Sequence, residues 1–186
     1  MVERVGLQNQ FIIVGSNPTP YSKTNKYMEI IFKNGDIFKG PEYFKVHQVN
    51  CKGAMGAGIA RQVKENYPNV YEAYKKTCDK MKDNSSNLLG MVQIVDTGKG
   101  FSIVNLFGQD DFKGYGNRCT NYEAFYTCLE KIKIHIIERN LPKEIAFPCR
   151  IASALAGGDW NVILAMIKSV FEPTDIKVVI YDFNGR

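Results

Sequence analysis

Two stretches of small residues have the composition expected of a phosphate cradle. The first loop, KGAMGAG at 52–58, follows the apolar run FKVHQVN, and the second loop, CRIASALAGG at 149–158 with its small residues at 153–158, follows EIAFP. Each lies between a predicted strand and a predicted helix, so unpaired backbone N–H groups at the helix start would face it. Small residues let a backbone approach a ligand closely, and helix N-termini attract negative charge. Together the two loops predict a diphosphate site.

Each loop taken alone is also explained as a tight strand-to-helix turn, because glycine-rich turns are common. Neither loop matches the GxxxxGK[ST] pattern of ATP-binding loops, and no GxGxxG follows the first strand. An ATPase or a dinucleotide-binding fold therefore loses most of its support.

His47 and Asp159 are the candidate acid–base groups beside these loops. His47 lies three residues before Asn50, so strand alternation places the two side chains on opposite faces, and a structural histidine is an equally good interpretation. Asp159 precedes the apolar helix WNVILAMIKSVF and has the composition of an N-cap, which is the alternative to a general base. Both interpretations stay open for each residue.

The composition limits the class of protein. The 186 residues, 45% apolar and 12% aromatic, are enough for one domain with its own core. A net charge of +5 suits an anionic ligand without requiring nucleic acid. The five cysteines form no CxxC pair and no Cys/His cluster, which predicts reduced thiols in the cytoplasm, no metal and no cofactor. No apolar stretch approaches the ~18 residues that span a membrane.

Strands and helices alternate along most of the chain. Strands are predicted at YMEIIF, FKVHQVN, MVQIV, FSIVNLF, EIAFP and IKVVIYDF, with MVQIV and FSIVNLF forming a hairpin or lying as neighbours. Helices are predicted from Met55 to Tyr67, over 69–82, from Tyr122 to near Asn140 and over WNVILAMIKSVF. This order predicts an α/β domain with three α/β/α layers and a mixed sheet over 27–186. Residues 1–26 are expected to form an added strand or arm.

The stretch HQVNCKGAMGAGIA at 47–60 resembles the first ligand loop of macro domains. The likeness continues through NYP at 66–68, NLFGQ at 105–109, TNYEAF at 120–125 and LAGGDW at 155–160. It covers about residues 27–183 and is strongest to the branch with the yeast ADP-ribose-1''-phosphate phosphatase and the human enzyme that removes terminal ADP-ribose from glutamate. The resemblance implies a macro domain fold and hydrolysis of a distal-ribose substituent, such as the phosphate of ADP-ribose-1''-phosphate.

The resemblance also implies partners and ligand contacts. The ligand would be ADP-ribose or ADP-ribose-1''-phosphate, with ADP-ribosylated protein or nucleic acid as a further partner, and the chain would act as a monomer. Asp36 would hold the adenine amino group, although a turn aspartate after Asn34-Gly35 explains it equally well, and Ile37 would be a further ligand contact. Tyr181 or Phe183 would stack on the adenine, the other being core.

The remaining implied contacts belong to the two loops. Asn50 would contact the distal ribose, and His47 matches the histidine to which catalysis is assigned in the yeast phosphatase. The distal phosphate and ribose would lie on the first loop and the diphosphate on the second, at Gly53, Met55, Gly56, Ala57, Gly58, Ile59, Ser153, Ala154, Leu155, Ala156 and Gly157.

The chain departs from these relatives in two places. The human enzyme uses a lysine on the strand that here reads IVNLF and an aspartate where this chain has Ala156, so a covalent lysyl mechanism is not expected. Relatives have a glycine-rich second loop with a cysteine, whereas this chain reads RIASA at 150–154. Alanine tolerates left-handed backbone poorly, which predicts altered loop geometry or affinity. Arg150 is either a phosphate contact or an ordinary surface arginine.

Three functions compete at this point. The first is an enzyme that hydrolyses a distal-ribose substituent, with water activated by His47 or Asp159. The second is a reader that binds ADP-ribose without turnover, which the missing lysine and the alanine-containing loop favour. A nucleic-acid-binding module ranks third, because the lysines are interleaved with acidic residues.

Overall fold

Six strands form the central sheet in the computed structural model, which describes residues 29–112 and 118–183. The strand order is β1-β6-β5-β2-β4-β3. All neighbours are parallel except β3 and β4, which are antiparallel. The strands are β1 Ile31–Asn34, β2 Phe44–Asn50, β3 Val92–Asp96, β4 Ser102–Gln109, β5 Glu144–Pro148 and β6 Lys177–Asp182. The mixed sheet is therefore confirmed, while the predicted extension 1–26 lies outside the described residues.

Helices cover both faces of this sheet. They are α1 Gly58–Asn66, α2 Pro68–Lys80, α3 Tyr122–Glu138 and α4 Trp160–Phe171, with 3₁₀ segments at Ile37–Lys39 and Lys82–Leu88. One face buries Ile103 and Phe107 of β4 against α1 and α2. The other buries Val104 and Leu106 of the same strand against α3 and α4. Alternate residues of one strand thus serve two cores, as a three-layer α/β/α fold requires.

Two predicted boundaries were wrong. Helix α1 begins at Gly58, so Met55 lies before it, although Met55 is buried and packs in the same core. Its four-residue spacing from Ile59 reflects burial in the loop, which periodicity alone cannot distinguish from a helical turn. Strand β1 continues to Asn34, predicted as turn, because its pairing with β6 extends to the register Asn34 to Asp182. No helix of the described ranges is long and apolar enough to cross a membrane.

The order of the strands predicts where a ligand binds. From β2 the chain passes through α1 and α2 to β3 and β4 on one side, and α3 then returns it to β5 on the other side of β2. The loops that follow β2 and β5 therefore leave neighbouring strands towards opposite faces. Open α/β sheets bind ligands in the crevice that such a reversal creates at the carboxyl ends of the strands.

A test of the packing at the edge of this crevice is the substitution Gly40→Ala. A Cβ at Gly40 would overlap Glu42 Oε2 and the Tyr181 hydroxyl, which are buried and hydrogen-bonded to each other. We expect a loss of about 1–3 kcal/mol in the free energy of unfolding, measured by urea denaturation. Gly56→Ala is the control, because a Cβ there meets no atom within 4 Å. Equal effects of the two substitutions would contradict this packing.

Candidate functional site

The two small-residue loops approach each other at the carboxyl ends of β2 and β5. A Cβ at Gly58 would lie 3.9 Å from Leu155 Cδ1, an ordinary van der Waals contact. Gly56, Ala57 and Gly58 are exposed, and Leu155 is 67% exposed. The structure therefore brings the first and second loops next to each other at this edge of the sheet, and we call the space between them the cleft.

Backbone amides without acceptors line this cleft. The N-cap of α1, Ala57, makes no side-chain hydrogen bond, so the first amides of this helix keep the positive end of its dipole uncovered. In the second loop, too, successive amides lack an acceptor. Within the described ranges, no acceptor is found for the N–H groups of Gly58, Ile59, Ala60, Leu155 and Ala156. Two such sets of donors on neighbouring loops suit a ligand with two phosphates.

The first loop is held in shape by Asn50. Its Oδ1 accepts from the N–H of Lys52 at 3.0 Å, the N–H of Ala54 at 3.1 Å and the Tyr74 hydroxyl at 2.9 Å, and its Nδ2 donates to Ala54 O at 2.7 Å. Burial raises the pKa of Tyr74, which keeps this hydroxyl protonated as a donor. Sequence reasoning missed Tyr74, because spacing on α2 indicates burial but not a polar contact. The ribose contact of Asn50 stays a prediction.

The second loop contains two residues in the left-handed region. Arg150 has φ +59° and Ala152 has φ +61°, each a conformation that costs a residue with a side chain about 1–2 kcal/mol. Ala152 O accepts from Thr120 Oγ1 at 2.6 Å and from Gly158 N at 3.0 Å. Ala156 O accepts from the backbone N–H of Thr120 at 3.1 Å. Thr120, which was absent from the predicted site, therefore holds the second loop through two of its carbonyl groups.

The predicted adenine end assembles around a turn that we call the Asp36 turn, residues 36–40. Asp36 Oδ1 accepts from Phe38 N at 2.9 Å, so the turn interpretation of Asp36 is confirmed, and its Oδ2 has no hydrogen-bond partner in the described part of the chain. Ile37 packs with Tyr181, and Ile59 packs against both. The structure thus brings the Asp36 turn, the start of α1 and the end of β6 together.

The two aromatic candidates at the end of β6 differ in exposure. Tyr181 is 7% exposed, and its hydroxyl donates to Glu42 Oε2 at 2.8 Å. Phe183 is 52% exposed. Tyr181 is therefore the core aromatic, and Phe183 alone offers a ring face to a ligand.

His47 lies in the interior instead of at the cleft. It is 1% exposed, and its Nε2 is bonded to Asn105 Oδ1 at 2.6 Å, while its Nδ1 is buried without a partner in the described chain. Burial lowers its pKa to about 4, and the bond to Asn105 opposes this only in part, so the imidazole is neutral at physiological pH. This placement argues against the predicted acid–base role and favours a structural one.

The expectation that the His47 and Asn50 side chains lie on opposite faces of the sheet was wrong. His47 reaches α2 through Asn105 and Gln93, which donates to Thr77, and Asn50 reaches Tyr74 on the same helix. The ladder between β2 and β4 is irregular between Val49 and Asn50, and Asn50 is the last residue of its strand. Strand alternation does not predict side-chain direction at such an irregular end.

Asp159 has the predicted capping role and remains accessible. Its Oδ1 accepts from Asn161 N at 2.8 Å, which caps α4, and its own N–H donates to the Tyr122 hydroxyl at 2.8 Å. The residue is exposed and directly follows the second loop. Capping is confirmed, and the other carboxylate oxygen is left for a proton or a water.

A second carboxylate lies beside the first loop. Asp110 follows β4, and its carboxylate lies 3.3 Å from Lys52 Nζ, while its carbonyl accepts from Cys51 N at 3.1 Å. Burial and the Asp110 charge raise the pKa of Cys51 to about 12, which excludes a thiolate nucleophile there. Sequence reasoning treated 109–120 only as loop. The available signal was the acidic pair that directly follows a strand at the ligand-binding edge.

Two hollows lie outside the space between the two loops. A hollow of about 550 Å³ lies along α2 and is lined by acidic and basic side chains of that helix. Another of about 420 Å³ is lined by Asp110 and by residues 118–123, so it adjoins the carboxylate beside the first loop. Within 29–112 and 118–183 no group of three His, Cys, Asp or Glu side chains is placed to hold a metal. The cleft between the loops is the better candidate on chemistry.

Comparisons with known proteins find relatives of this chain. The family model described as Macro domain matches residues 46–167. The DNA ADP-ribosyl glycohydrolase of Mycobacterium tuberculosis is 28% identical over 159 residues, 84% of this chain and 43% of that protein, so the chain spans less than half of that relative. Human ADP-ribose glycohydrolase OARD1 is 29% identical over 153 residues, covering 82% and 90%. The solved macrodomain of Mycobacterium tuberculosis DarG has TM-score 0.71 and 28% identity, covering 83% and 97%.

The left-handed backbone of the second loop is tested by Arg150→Gly. Glycine removes the steric cost of φ +59° but loses more entropy on folding, so we expect a net stabilisation of about 0.5–1 kcal/mol in thermal unfolding. Arg150→Ala is the control, because it removes the same charge and keeps the strained Cβ. A gain of equal size in both variants would mean that the charge, and not the backbone, is responsible.

Proposed function

The chain belongs to the macro domain family, and on that premise we propose that it binds ADP-ribose between the first and second loops and hydrolyses a bond at the distal ribose. The observation that carries this proposal is the presence of two amide sets on neighbouring loops, at 58–60 and 155–156, with no acceptor in the described chain. A diphosphate would supply acceptors to both sets at once. The experiment that tests it is calorimetric titration with ADP-ribose.

The orientation of the ligand follows from what lies at each end of the cleft. The adenine would meet the unbonded Asp36 Oδ2 and the exposed ring of Phe183. The diphosphate would occupy the middle, at the start of α1. The distal ribose would then extend towards Asn50 and the pair Lys52–Asp110 at the base of the first loop.

The reaction is proposed as hydrolysis of the substituent on the distal ribose. Both relatives that match most of this chain carry glycohydrolase names, which favours cleavage of an ADP-ribosyl bond. An ADP-ribosylated nucleic acid is the first substrate to test, because of the name of the mycobacterial relative and the net charge of +5, followed by ADP-ribosylated protein. Removal of the phosphate from ADP-ribose-1''-phosphate is the alternative, favoured by the phosphatase name of a Saccharomyces cerevisiae relative that is 38% identical over 63 residues. We place the protein in the cytoplasm because its five cysteines follow no pairing pattern, and we expect it to act as a monomer.

The proposed mechanism uses water and a carboxylate. A water oxygen attacks the distal ribose carbon or the phosphorus and gives its proton to a base, while the bond from the attacked atom to the leaving oxygen or nitrogen breaks. The leaving atom takes up a proton from solvent, and the base returns its proton to solvent. Asp159 is the proposed base, because its carboxylate is exposed and uses only Oδ1 for capping. Asp110 is the second candidate, since glycosidic hydrolysis commonly uses carboxylates and Asp110 lies beside the first loop. His47 has no part in this mechanism.

A reader without catalysis is the second candidate function. The observation that favours it is the burial of His47, which removes the residue to which the resemblance assigns catalysis. A reader would bind ADP-ribose in the same cleft and would release no product from any ADP-ribosylated substrate.

The site is tested by Gly56→Glu. The position is exposed and a Cβ there meets no atom within 4 Å, so the protein should stay folded while the carboxylate repels the phosphates. We expect ADP-ribose affinity to fall at least about 100-fold, which corresponds to about 2.7 kcal/mol. Gly56→Gln is matched in volume and uncharged, and we expect it to lose much less. Normal titration of a folded Gly56→Glu protein would place the phosphates elsewhere.

The base is tested by Asp159→Asn. Asparagine caps a helix as well as aspartate does, so stability should hold while the turnover rate falls about 10²–10⁴-fold and ADP-ribose affinity changes little. Product release is measured from ADP-ribosylated DNA and from ADP-ribose-1''-phosphate. Asp110→Asn is run in parallel, and a loss confined to that variant would assign the base to Asp110. Tight binding by a parent protein that turns over neither substrate would establish the reader.

A further inference from the structure

A lysine is buried beneath the Asp36 turn. Lys45 lies on β2 and is 1% exposed. Its Nζ donates to Ile37 O at 2.9 Å and to Gly40 O at 2.7 Å, and it lies 4.6 Å from the centre of the Phe101 ring. One ammonium group therefore binds carbonyls within and at the end of the turn.

The burial of this ammonium needs a reason. Removing a charge from water is costly, and a methionine of similar length would fill the same space without that cost. Burial lowers the pKa of Lys45, and the charges of Glu42 and Asp36 oppose the shift. Glu42 is itself fully buried and holds the Tyr181 hydroxyl. The chain thus maintains a buried polar group under one short turn.

What Lys45 fixes is the orientation of that turn. The backbone bonds of the turn, from Lys39 N to Asp36 O and from Gly40 N to Ile37 O, set its internal shape, and Gly35 N ties the residue before it to Asp182 O of β6 at 2.9 Å. Lys45 joins the turn to β2, and Ile37 packs on the sheet below. With the turn attached to β6 at its start and to β2 through Lys45, the direction of the unbonded Asp36 Oδ2 depends on both attachments.

We propose that Lys45 is a positioning residue that gives the cleft its selectivity for a 6-aminopurine over a 6-oxopurine; this rests on the proposed function. A carboxylate held in one direction accepts from an amino group and repels a carbonyl oxygen at the same place. A carboxylate on a turn without a fixed orientation can rotate away from the purine, so it no longer distinguishes an amino group from a carbonyl oxygen. Lys45 touches no ligand and acts only through the turn.

The experiment compares the affinities of ADP-ribose and inosine diphosphate ribose, whose hypoxanthine carries oxygen in place of the amino group. The main variant is Lys45→Met with Glu42→Gln, which removes both buried charges together and leaves an acceptor for Tyr181. Glu42→Gln alone is the matched control, so that the difference between the two isolates Lys45. Asp36→Asn is the positive control for lost selectivity. Thermal unfolding establishes that each variant is folded.

We expect the parent protein and Glu42→Gln to prefer ADP-ribose at least about tenfold. In the double variant and in Asp36→Asn the preference should fall to within about threefold, chiefly through weaker ADP-ribose binding. If the double variant does not fold, Lys45→Gln with Glu42→Gln keeps one shorter donor and should show an intermediate preference.

An unchanged preference in a folded double variant overturns the inference and leaves the proposed function intact. Equal weakening of both ligands overturns it as well, because a purely structural role predicts that result. A parent that binds both ligands equally overturns the selectivity and the adenine assignment while diphosphate binding stands. A parent that binds neither overturns the proposed function and this inference with it.

Discussion

The cleft depends on backbone carbonyls and amides at the ends of parallel strands being held by buried side chains from other elements. Loops that satisfied their own amides would have no donors left for a ligand. Here Asn50 and Tyr74 hold the first loop, Thr120 holds the second, and Lys45 holds the Asp36 turn. Each anchor is a side chain bonded to backbone, so the loops keep their shape while their outward N–H groups stay unpaired. The rest of the site follows from this arrangement.

The anchors also explain why the second loop can hold an alanine in a glycine-type conformation. A left-handed Ala152 persists only where the surroundings specify it, and its carbonyl is bonded both by Thr120 and by Gly158. The Ala152 methyl group contributes apolar burial, because the residue is 8% exposed and packs in the core with α3 and α4. The loop thus keeps its carbonyls engaged without a glycine at this position, at a cost in backbone strain.

Much of the fold was predictable because local patterns and tertiary structure agree. Helix periodicity, the cap at Asp159 and the apolar strands can each be recognised from neighbouring residues alone. The structure confirms the cap and the mixed six-stranded sheet. The anchors were not predictable. Tyr74 lies 24 residues from Asn50, and Thr120 lies 32 residues from Ala152, so their contacts depend on how separate elements pack. Lys45 lies near the Asp36 turn in sequence, but an apolar strand gave no reason to expect a buried charge in it.

Because His47 is buried, its presence in the sequence motif does not by itself indicate a catalytic histidine. An imidazole can move a proton to a ligand only if a ring nitrogen reaches that ligand, and here Nε2 is bonded to Asn105 inside the sheet. The next partner, Gln93, is bonded in turn to α2, so the polar chain leads from the sheet to a helix and away from the loops. Such a chain aligns α2, which carries Tyr74 and thereby Asn50. His47 is accordingly connected to the first loop through α2, and the mechanism proposed above assigns proton transfer at the distal ribose to carboxylates that solvent reaches.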